Sequence, residues 1–522
     1  MKKAISVLLC LCLALSIFTV VPFAASAAEV TEGSVGATSG TTGSCRWSLD
    51  DEGNLTISGN GAMGNYYDDS TLPWGKNITS VIIENGVTSI GNFAFYGCTG
   101  LTSVTIPDSV TSIGSSAFRG CSGLTSITIP DSVTSIGSGA FYGTTWYNNL
   151  PNGLVYAGKF AYNYKGTMPA NTSITIKDGT KGIAASALRD CTGLTSVTIP
   201  DSVTSIGEWA FYGCTRLTSV HISDIAAWCN IAFSSDGSNP LECAHNLYLK
   251  GVRVTDLIIP DGVTSIGSYA FDYCFGLTSV TIPDSVTSIG SCAFYNCTGL
   301  TSVTIGYSVT SIGNYSFYGC PVKVGLTGNC VWVLCADGAL TISGNGAMED
   351  YASSAHSPFV AGITSVVIEE GVTSIGNYAF ADLPNLTSVT LPSTLTRIGD
   401  HAFENASALT AITIPAGVTE IGEDAFAGCE NLTIYGYKGI TAQSYANDHN
   451  IPFVALILGG DANGDNKTNV RDVTSIQRHV AEFQTLTGDQ FLAADVDGNG
   501  IVDINDATYL QMYLAEYDVT LG

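Results

Sequence analysis

The sequence predicts a mainly β repeat solenoid in two arrays, each opened by an N-terminal cap, followed by a small all-α domain. Three observations carry this. Residues 101–123 (LTSVTIPDSVTSIGSSAFRGCSG) are followed at once by a second copy starting at Leu124, a period of 23 residues. The segment from Cys45 to Met63 returns at Cys330 to Met348, and Ile78 and Ile363 keep the same offset. Near the end of the chain, two acidic stretches of equal length, Asp461 to Asp472 and Asp495 to Asp506, each lead into an amphipathic segment.

Within one repeat, Leu101, Val104 and Ile106 are expected to point inward, with Thr102, Ser103 and Thr105 outward. Pro107-Asp108 ends that strand, because proline cannot donate the next ladder hydrogen bond. Val110 and Ile113 turn inward again, and Gly114 opens a turn before Ala117-Phe118. One such unit cannot bury its own apolar face, whereas stacked copies form one continuous core. Phenylalanine marks the register at Phe95, Phe118, Phe141, Phe211, Phe271, Phe294, Phe317, Phe380, Phe403 and Phe426, with Leu188 in the same slot once. The step from Phe141 to Leu188 is close to two periods, which predicts a diverged pair of coils between them. The L-x-x-V-x-I run and the period lie within the leucine-rich-repeat range. Together with the run S-V-T-S-I-G-x-x-A-F, they resemble the BspA-like leucine-rich repeats of bacterial surface proteins over roughly residues 78–455. That resemblance implies an extracellular ligand-binding or adhesive solenoid and carries no catalytic residues with it.

Composition narrows the function classes. Of 522 residues only 12 % are charged, about half the usual share, so Ser, Thr and Gly form much of the surface. The formal net charge is −26, and loss of a leader containing Lys2 and Lys3 but no acids makes it −28. Nucleic acid and anionic membrane surfaces require a basic footprint, which such a chain does not offer. Residues 1–28 read as a signal peptide: a basic start, an apolar segment from Ala4 to Val21, and Ala25-Ser26-Ala27 as the cleavage site. Elsewhere no apolar run approaches the roughly 18 residues a span needs. The protein is therefore expected to be secreted, with no membrane span in the mature chain.

Residues 29–43 read as a flexible linker. Array 1 with its cap and two insertions is assigned to 44–326, array 2 with its own cap to 327–457, and the last domain to 458–522. The insertions are residues 144–182, holding Trp146, Tyr147, Tyr156, Tyr162 and Tyr164, and residues 221–253, holding Trp228, Cys229, Cys243 and His245. Their aromatics either pack onto neighbouring coils or stack on sugar rings, and packing is favoured because buried aromatics dominate cores. The Cys229, Cys243, His245 set lacks a fourth metal ligand. Eight cysteines share one repeat position: Cys98, Cys121, Cys191, Cys214, Cys274, Cys297, Cys320 and Cys429. That regularity points to a small apolar slot, and neighbouring coils place these residues near disulfide reach, about 5 Å apart; the sequence leaves their pairing open. The six histidines are scattered, and no nucleophilic triad or carboxylate pair emerges. Asn431–Tyr435, a helix-like Gly439 to His449 and Ile451–Val454 read as the C-terminal cap, with Gly459-Gly460 as a hinge.

The last domain carries the most specific chemistry. Loop positions 1, 3, 5, 9 and 12 hold Asp461, Asn463, Asp465, Asn469 and Asp472, then Asp495, Asp497, Asn499, Asp503 and Asp506. Position 7, Lys467 or Ile501, contributes a main-chain carbonyl. Six or more oxygens around a tight loop are what calcium requires, so two Ca2+ ions are expected. Gly500 supplies a left-handed turn at position 6, where the first loop has Asn466. Each loop ends in Asp where an EF-hand has Glu, and single helices are expected at Asp472–Phe483 and Asp506–Tyr517, aligning Ile476 with Leu510 and Val480 with Leu514. Two Asp-terminated loops with one helix each resemble a dockerin, over residues 461–517. The resemblance implies docking onto a cohesin domain of a cellulosome-type scaffold. The family's recognition positions fall on Val470, Arg471, Gln477 and Arg478, and on Ile504, Asn505, Gln511 and Met512.

The function expected from these readings is a secreted binding or adhesion protein, held by a calcium-dependent dockerin and involved in attachment to or degradation of polysaccharide. Its solenoid ligand, glycan or protein, is not named by the sequence. A hydrolase subunit is the alternative from another class, since dockerins usually carry glycoside hydrolases, but hydrolysis needs two positioned carboxylates, and the repeat strands present mainly Thr and Ser. A structural spacer is the third reading.

Overall fold

The sequence period becomes the pitch of a parallel ladder. In the computed structural model, which describes residues 38–67, 71–360, 362–465, 467–517 and 519–521, Ser279 pairs with Ser302, Val280 with Val303 and Ile282 with Ile305 in adjacent strands. The signal peptide, residues 29–37 of the linker, and Asn466 lie outside the described residues.

The chain forms two compact units, one running to Val133 with Gly139–Leu150, the other comprising Thr134–Ser138 and everything from Pro151 onward. In the first unit, strands Ser39–Thr42, Cys45–Leu49 and Asn54–Gly59 form an antiparallel cap that continues into parallel strands Ser80–Ile83 and Ser103–Thr105. The second unit repeats this cap as Lys323–Thr327, Cys330–Leu334 and Ala339–Gly344. Both caps therefore begin one strand earlier than the sequence analysis places them. Ser39–Thr42 belongs to the cap and not to a flexible linker, because a glycine lets it lie against an indole: a Cβ on Gly40 would sit 2.8 Å from Trp47 Nε1, and one on Gly325 2.5 Å from Trp332 Cζ2. Thr42 and Thr327 then lock the strand, each accepting a tyrosine hydroxyl, from Tyr66 and Tyr351, at 2.7 Å.

Most coils have two strands where one is expected. The V-T-S-I segment adds a short second strand, as in Ser265–Ile266, Ser288–Ile289 and Ser311–Ile312. The third side is laddered without being a strand, since Phe271 N–H donates to Ala293 O at 2.8 Å and Tyr273 N–H to Tyr295 O at 2.7 Å. The outward threonines are also bonded to the preceding coil. Thr102 Oγ1 donates to Thr79 O at 3.1 Å, Thr218 to Thr195 O at 3.2 Å and Thr387 to Thr364 O at 3.0 Å.

The core is a column of rings. In the first unit Phe95 stacks on Phe118 at 5.1 Å and Phe118 on Phe141 at 5.7 Å, and Trp146 closes the end edge-on at 5.5 Å. In the second array Phe359, Phe380, Phe403 and Phe426 stack at 5.2–5.3 Å between edge-on Trp332 and Tyr445. Leu101 is buried and Thr102, Ser103 and Thr105 are exposed as expected, while Val104 and Ile106 are only half buried in this coil. The eight repeat cysteines are unpaired thiols. Several donate to the backbone carbonyl 26 residues earlier, as Cys121 does to Phe95 O at 2.9 Å and Cys297 to Phe271 O at 3.0 Å. Burial pushes the Cys98 thiol up to about 12 and that of Cys191 to about 11.

The stretch between Phe141 and Leu188 is not a pair of diverged coils. It holds a short helix, Thr145–Asn148, and an antiparallel hairpin, Gly153–Ala157 with Phe160–Lys165. Tyr147 and Tyr162 are buried, so these aromatics serve packing. In the second insertion Trp228 Nε1 donates to Ala270 O at 2.7 Å, Cys229 is buried, and the His245 ring stacks on Phe275 at 4.2 Å. The array closes with strand Thr433–Tyr437, helix Thr441–Asp448 and strand Phe453–Leu456. Among the described residues no helix is long and apolar enough to cross a membrane.

Candidate metal centre and docking face

Two identical local devices build the last domain. Asn469 caps helix Val470–Val480 by accepting from Arg471 N–H, and Asp503 caps helix Ile504–Leu514 by accepting from Asn505 N–H. Further into the first turn, Asp472 and Asp506 reach back to the cap N–H, each at 2.8 Å, completing a capping box. The helices thus begin ahead of Asp472 and Asp506, and they end at Val480 and Leu514 because Glu482 and Glu516 adopt left-handed φ values of 61° and 59°. A third helix, Asp489–Ala494, leads into the second loop and has no counterpart in the sequence reading. Ile476, Leu510, Val473, Ala507 and Val496 form the core between the helices.

The capping carboxylates also tie each loop shut. The other oxygen of Asp472 accepts from Asn463 N–H at 3.1 Å, and that of Asp506 from Val496 N–H at 2.8 Å. Asp461 Oδ1 accepts from Gly464 and Asp465 N–H, at 2.8 and 3.0 Å, while the two Asp495 oxygens accept from Asn499 and Gly500 N–H at 3.0 and 2.7 Å. Asn463 Oδ1 and Asn499 Oδ1 accept from Asp465 and Ile501 N–H, and Asp465 Oδ1 from Lys467 N–H. Gly464, Gly498 and Gly500 make these turns with φ of 75°, 72° and 86°.

The outcome is two carboxylate triplets, Asp461, Asp465, Asp472 and Asp495, Asp497, Asp506, with donor oxygens within 4.8 Å of one another. Asp472 and Asp506 are fully buried. Burial pushes both carboxyls above the ordinary carboxylate range, and neighbouring carboxylates add to it, Asp461 and Asp465 for the first, Asp497 for the second. Packing anions this closely, with Asp461, Asp472 and Asp506 buried and Asp465 and Asp497 exposed, costs free energy that a hard cation removes. The donor set, all oxygen and rich in charge, fits calcium. Asn463, Lys467, Asn469, Asn499, Ile501 and Asp503 lie in the same two loops, outside the triplets.

The eight positions expected to meet a cohesin are all exposed. Val470, Arg471, Gln477 and Arg478 lie on the first helix, and Ile504, Asn505, Gln511 and Met512 on the second. The proposed hinge is not one: Gly460 N–H donates to Ala493 O at 2.7 Å, and a Cβ there would meet Thr468 Cγ2 at 2.8 Å and Leu510 Cδ1 at 2.9 Å. Gly460 is a close-approach glycine inside the domain. Lys438, in the C-terminal cap, pairs with Asp489 of the third helix.

A capped, two-sheet solenoid joined to a pair of acidic helix-start loops defines a repeat protein with a docking module. The chain belongs to the BspA type Leucine rich repeat region family, whose profile (six copies) matches residues 70–169, 158–246, 242–322 and 359–446. A Dockerin type I domain, a domain type that binds calcium, matches residues 459–515. The repeat family that matches is one of leucine-rich-repeat proteins, not of enzymes. Among solved structures, the chain is similar to a leucine-rich repeat protein from Eubacterium ventriosum (26 % identity, 75 % of this chain and 95 % of that one, TM-score 0.27). It is also similar to one from Bacteroides ovatus (21 %, 79 % and 98 %, TM-score 0.30) and to a leucine rich cell surface protein from Faecalibacterium prausnitzii (26 %, 78 % and 97 %, TM-score 0.21). No curated protein sequence matches this chain significantly.

Proposed function

We propose that this protein is an exported binding or adhesion subunit whose solenoid is held on a cellulosome-type scaffold by a calcium-dependent dockerin–cohesin contact, serving attachment to polysaccharide or its degradation. The observation that carries it is the threefold use of Asp472 and Asp506. Each closes a loop, enters its carboxylate triplet and starts the helix that displays four recognition residues. Asp461, Asn463, Asp465, Lys467, Asn469 and Asp472 hold one Ca2+ ion in this reading, and Asp495, Asp497, Asn499, Ile501, Asp503 and Asp506 hold the second. Without cations the clustered carboxylates repel and the small core opposes little of the chain entropy, so binding and folding are coupled.

Titration calorimetry of the purified protein against a type I cohesin tests this. Binding is expected in calcium and lost in excess chelator, while the solenoid keeps its circular dichroism. Undiminished cohesin binding in chelator refutes the calcium-dependent contact.

A further inference from the structure

The turn that follows each Ala-Phe pair carries two rows of side chains along the solenoid, one just after the Phe and one just before the Ala. At the first of these positions, two coils carry arginine, and in both the guanidinium lies on an aromatic ring of the following coil. In the first unit Arg119 sits over Tyr142 at 5.1 Å. In the second unit Arg189 sits over Tyr212 at 5.4 Å and over Trp209 at 5.3 Å. The chain thus supplies its own cation to these rings.

The coils of Phe271, Phe294 and Phe317 reverse this arrangement. The position of Arg119 and Arg189 is taken by Asp272, which is 1 % exposed, and the position of Trp209 in the next coil is taken by Cys292. An acidic residue replaces a basic one, and a thiol replaces an indole. The space so opened is a pocket of about 420 Å³ lined by Tyr269, Asp272, Tyr273, Cys292, Tyr295, Tyr315 and Tyr318. Ladder hydrogen bonds fix its walls. Tyr273 N–H donates to Tyr295 O, and Asn296 N–H to Tyr318 O, each at 2.7 Å. They hold Tyr295 and Tyr318 stacked at 5.5 Å, with Tyr273 edge-on to Tyr295 at 5.5 Å and Tyr315 edge-on to Tyr318 at 5.8 Å. Tyr315 and Tyr318 remain 65 % and 59 % exposed at the mouth. None of the described lining residues is Arg or Lys. Lys323 lines the adjoining cleft, and its ammonium is directed at Cys320 O, 3.3 Å away.

Five tyrosine rings and one buried acid, Asp272, line the site. Ring faces attract cations through their quadrupole, and a cation bound here favours the ionised form of Asp272. A neutral sugar gains from the ring faces but not from an ionised Asp272. We propose that this pocket binds a small organic cation, an alkylammonium group, in the place where the upstream coils seat their own arginine. The proposal rests on reading the solenoid as a ligand-binding surface, and it names the ligand class and the position.

The test is saturation-transfer NMR on the methyl protons of tetramethylammonium chloride with the full chain, at ionic strength held constant with sodium chloride. Methyl β-D-glucoside is the neutral competitor. Saturable binding is expected, and Asp272→Asn and Tyr318→Ala should each weaken it about tenfold, the loss of a cation–π or charge contact. Cys292→Trp rebuilds the upstream filling on a backbone of the same φ, 55° at both Cys292 and Trp209, and should abolish binding with Asp272 untouched. If Asp272→Asn fails to fold, Tyr318→Ala and Cys292→Trp still decide. Absence of saturable binding, unaltered binding in Cys292→Trp, or displacement by the glucoside overturns the proposal. A pocket variant that loses tetramethylammonium yet keeps cohesin binding and other solenoid ligands separates this site from the broader reading, as does failure of the pocket alone.

Discussion

Phe118 offers the sharpest test of how the repeat is held together. Its side chain is fully buried and contacts a stacked ring on either side, Phe95 at 5.1 Å and Phe141 at 5.7 Å. Truncating a buried Phe to Ala costs about 3–5 kcal/mol. Each aromatic pair adds about 0.5–1.5 kcal/mol beyond burial, which places Phe118→Ala near the upper end, about 5 kcal/mol. Leucine already occupies the equivalent slot at Leu188, also fully buried, so Phe118→Leu should cost clearly less, about 1.5 kcal/mol. Thr102→Ala removes an exposed 3.1 Å hydrogen bond to Thr79 O and should cost about 0.5–1 kcal/mol. Guanidinium unfolding followed by tryptophan fluorescence reads all three, since Trp74 stacks on Phe95 in the same column. The ordering Ala at 118 worst, then Leu at 118, then Ala at 102 is the expected result. Equal losses for Phe118→Ala and Thr102→Ala would refute the assignment of inward and outward faces, and equal losses for Ala and Leu at 118 would refute the column.

Other consequences are open to measurement. Chelation should unfold residues 458–522 while the solenoid's β signal persists, and Asp472→Ala should mimic it in the first loop by removing both a triplet member and a helix cap, observed by amide NMR. Alkaline pH should destabilise the arrays: burial raises the thiols of Cys98 and Cys191 from the ordinary 9.0 to about 12 and about 11, so the folded state holds protons that the unfolded chain releases. Stability on this account is level below about pH 9 and falls between pH 9 and pH 12, which thermal melts against pH will show or exclude. The two helices present different chemistry, and the double variant Arg471→Ala, Arg478→Ala should alter cohesin affinity very differently from Asn505→Ala, Met512→Ala. Indistinguishable calorimetric losses from the two pairs would count against a preferred docking face.

Periodicity makes the coil legible, because a slot filled once in every repeat by Phe or Cys can only be a stacked interior. The loops are legible for a similar reason, since oxygen residues at fixed spacing turn back on the helix start and gather their carboxylates. What escapes is set by contacts between coils or by backbone. The threonine ladder looks in sequence like a plain solvent face, and only stacking shows each hydroxyl bonded one coil back. The first cap strand is hidden because Ser39–Thr42 has linker composition. Yet Gly40, Thr42 and Gly43 match Gly325, Thr327 and Gly328 at the offset that relates the two caps, a signal present in the sequence. Gly460 looks like a hinge because glycine permits both freedom and close approach, and sequence does not separate the two. The tyrosine pocket depends on Asp272 and Cys292 replacing Arg and Trp at repeat-equivalent positions, which becomes visible once those positions are aligned in space.

The edge-on rings that end each phenylalanine column have a consequence for how such a protein changes over generations. In the second array the edge-on contacts of Trp332 and Tyr445 are made to the first and last rings of the column, Phe359 and Phe426. A coil duplicated between Phe380 and Phe403 would meet a neighbour of its own kind on both sides, and neither terminal contact would register the event. Each duplication would carry the last domain about 4.8 Å further from the cap, the spacing of one strand. The length of the array is therefore adjustable in discrete steps, like notches on a strap, without renegotiating the ends.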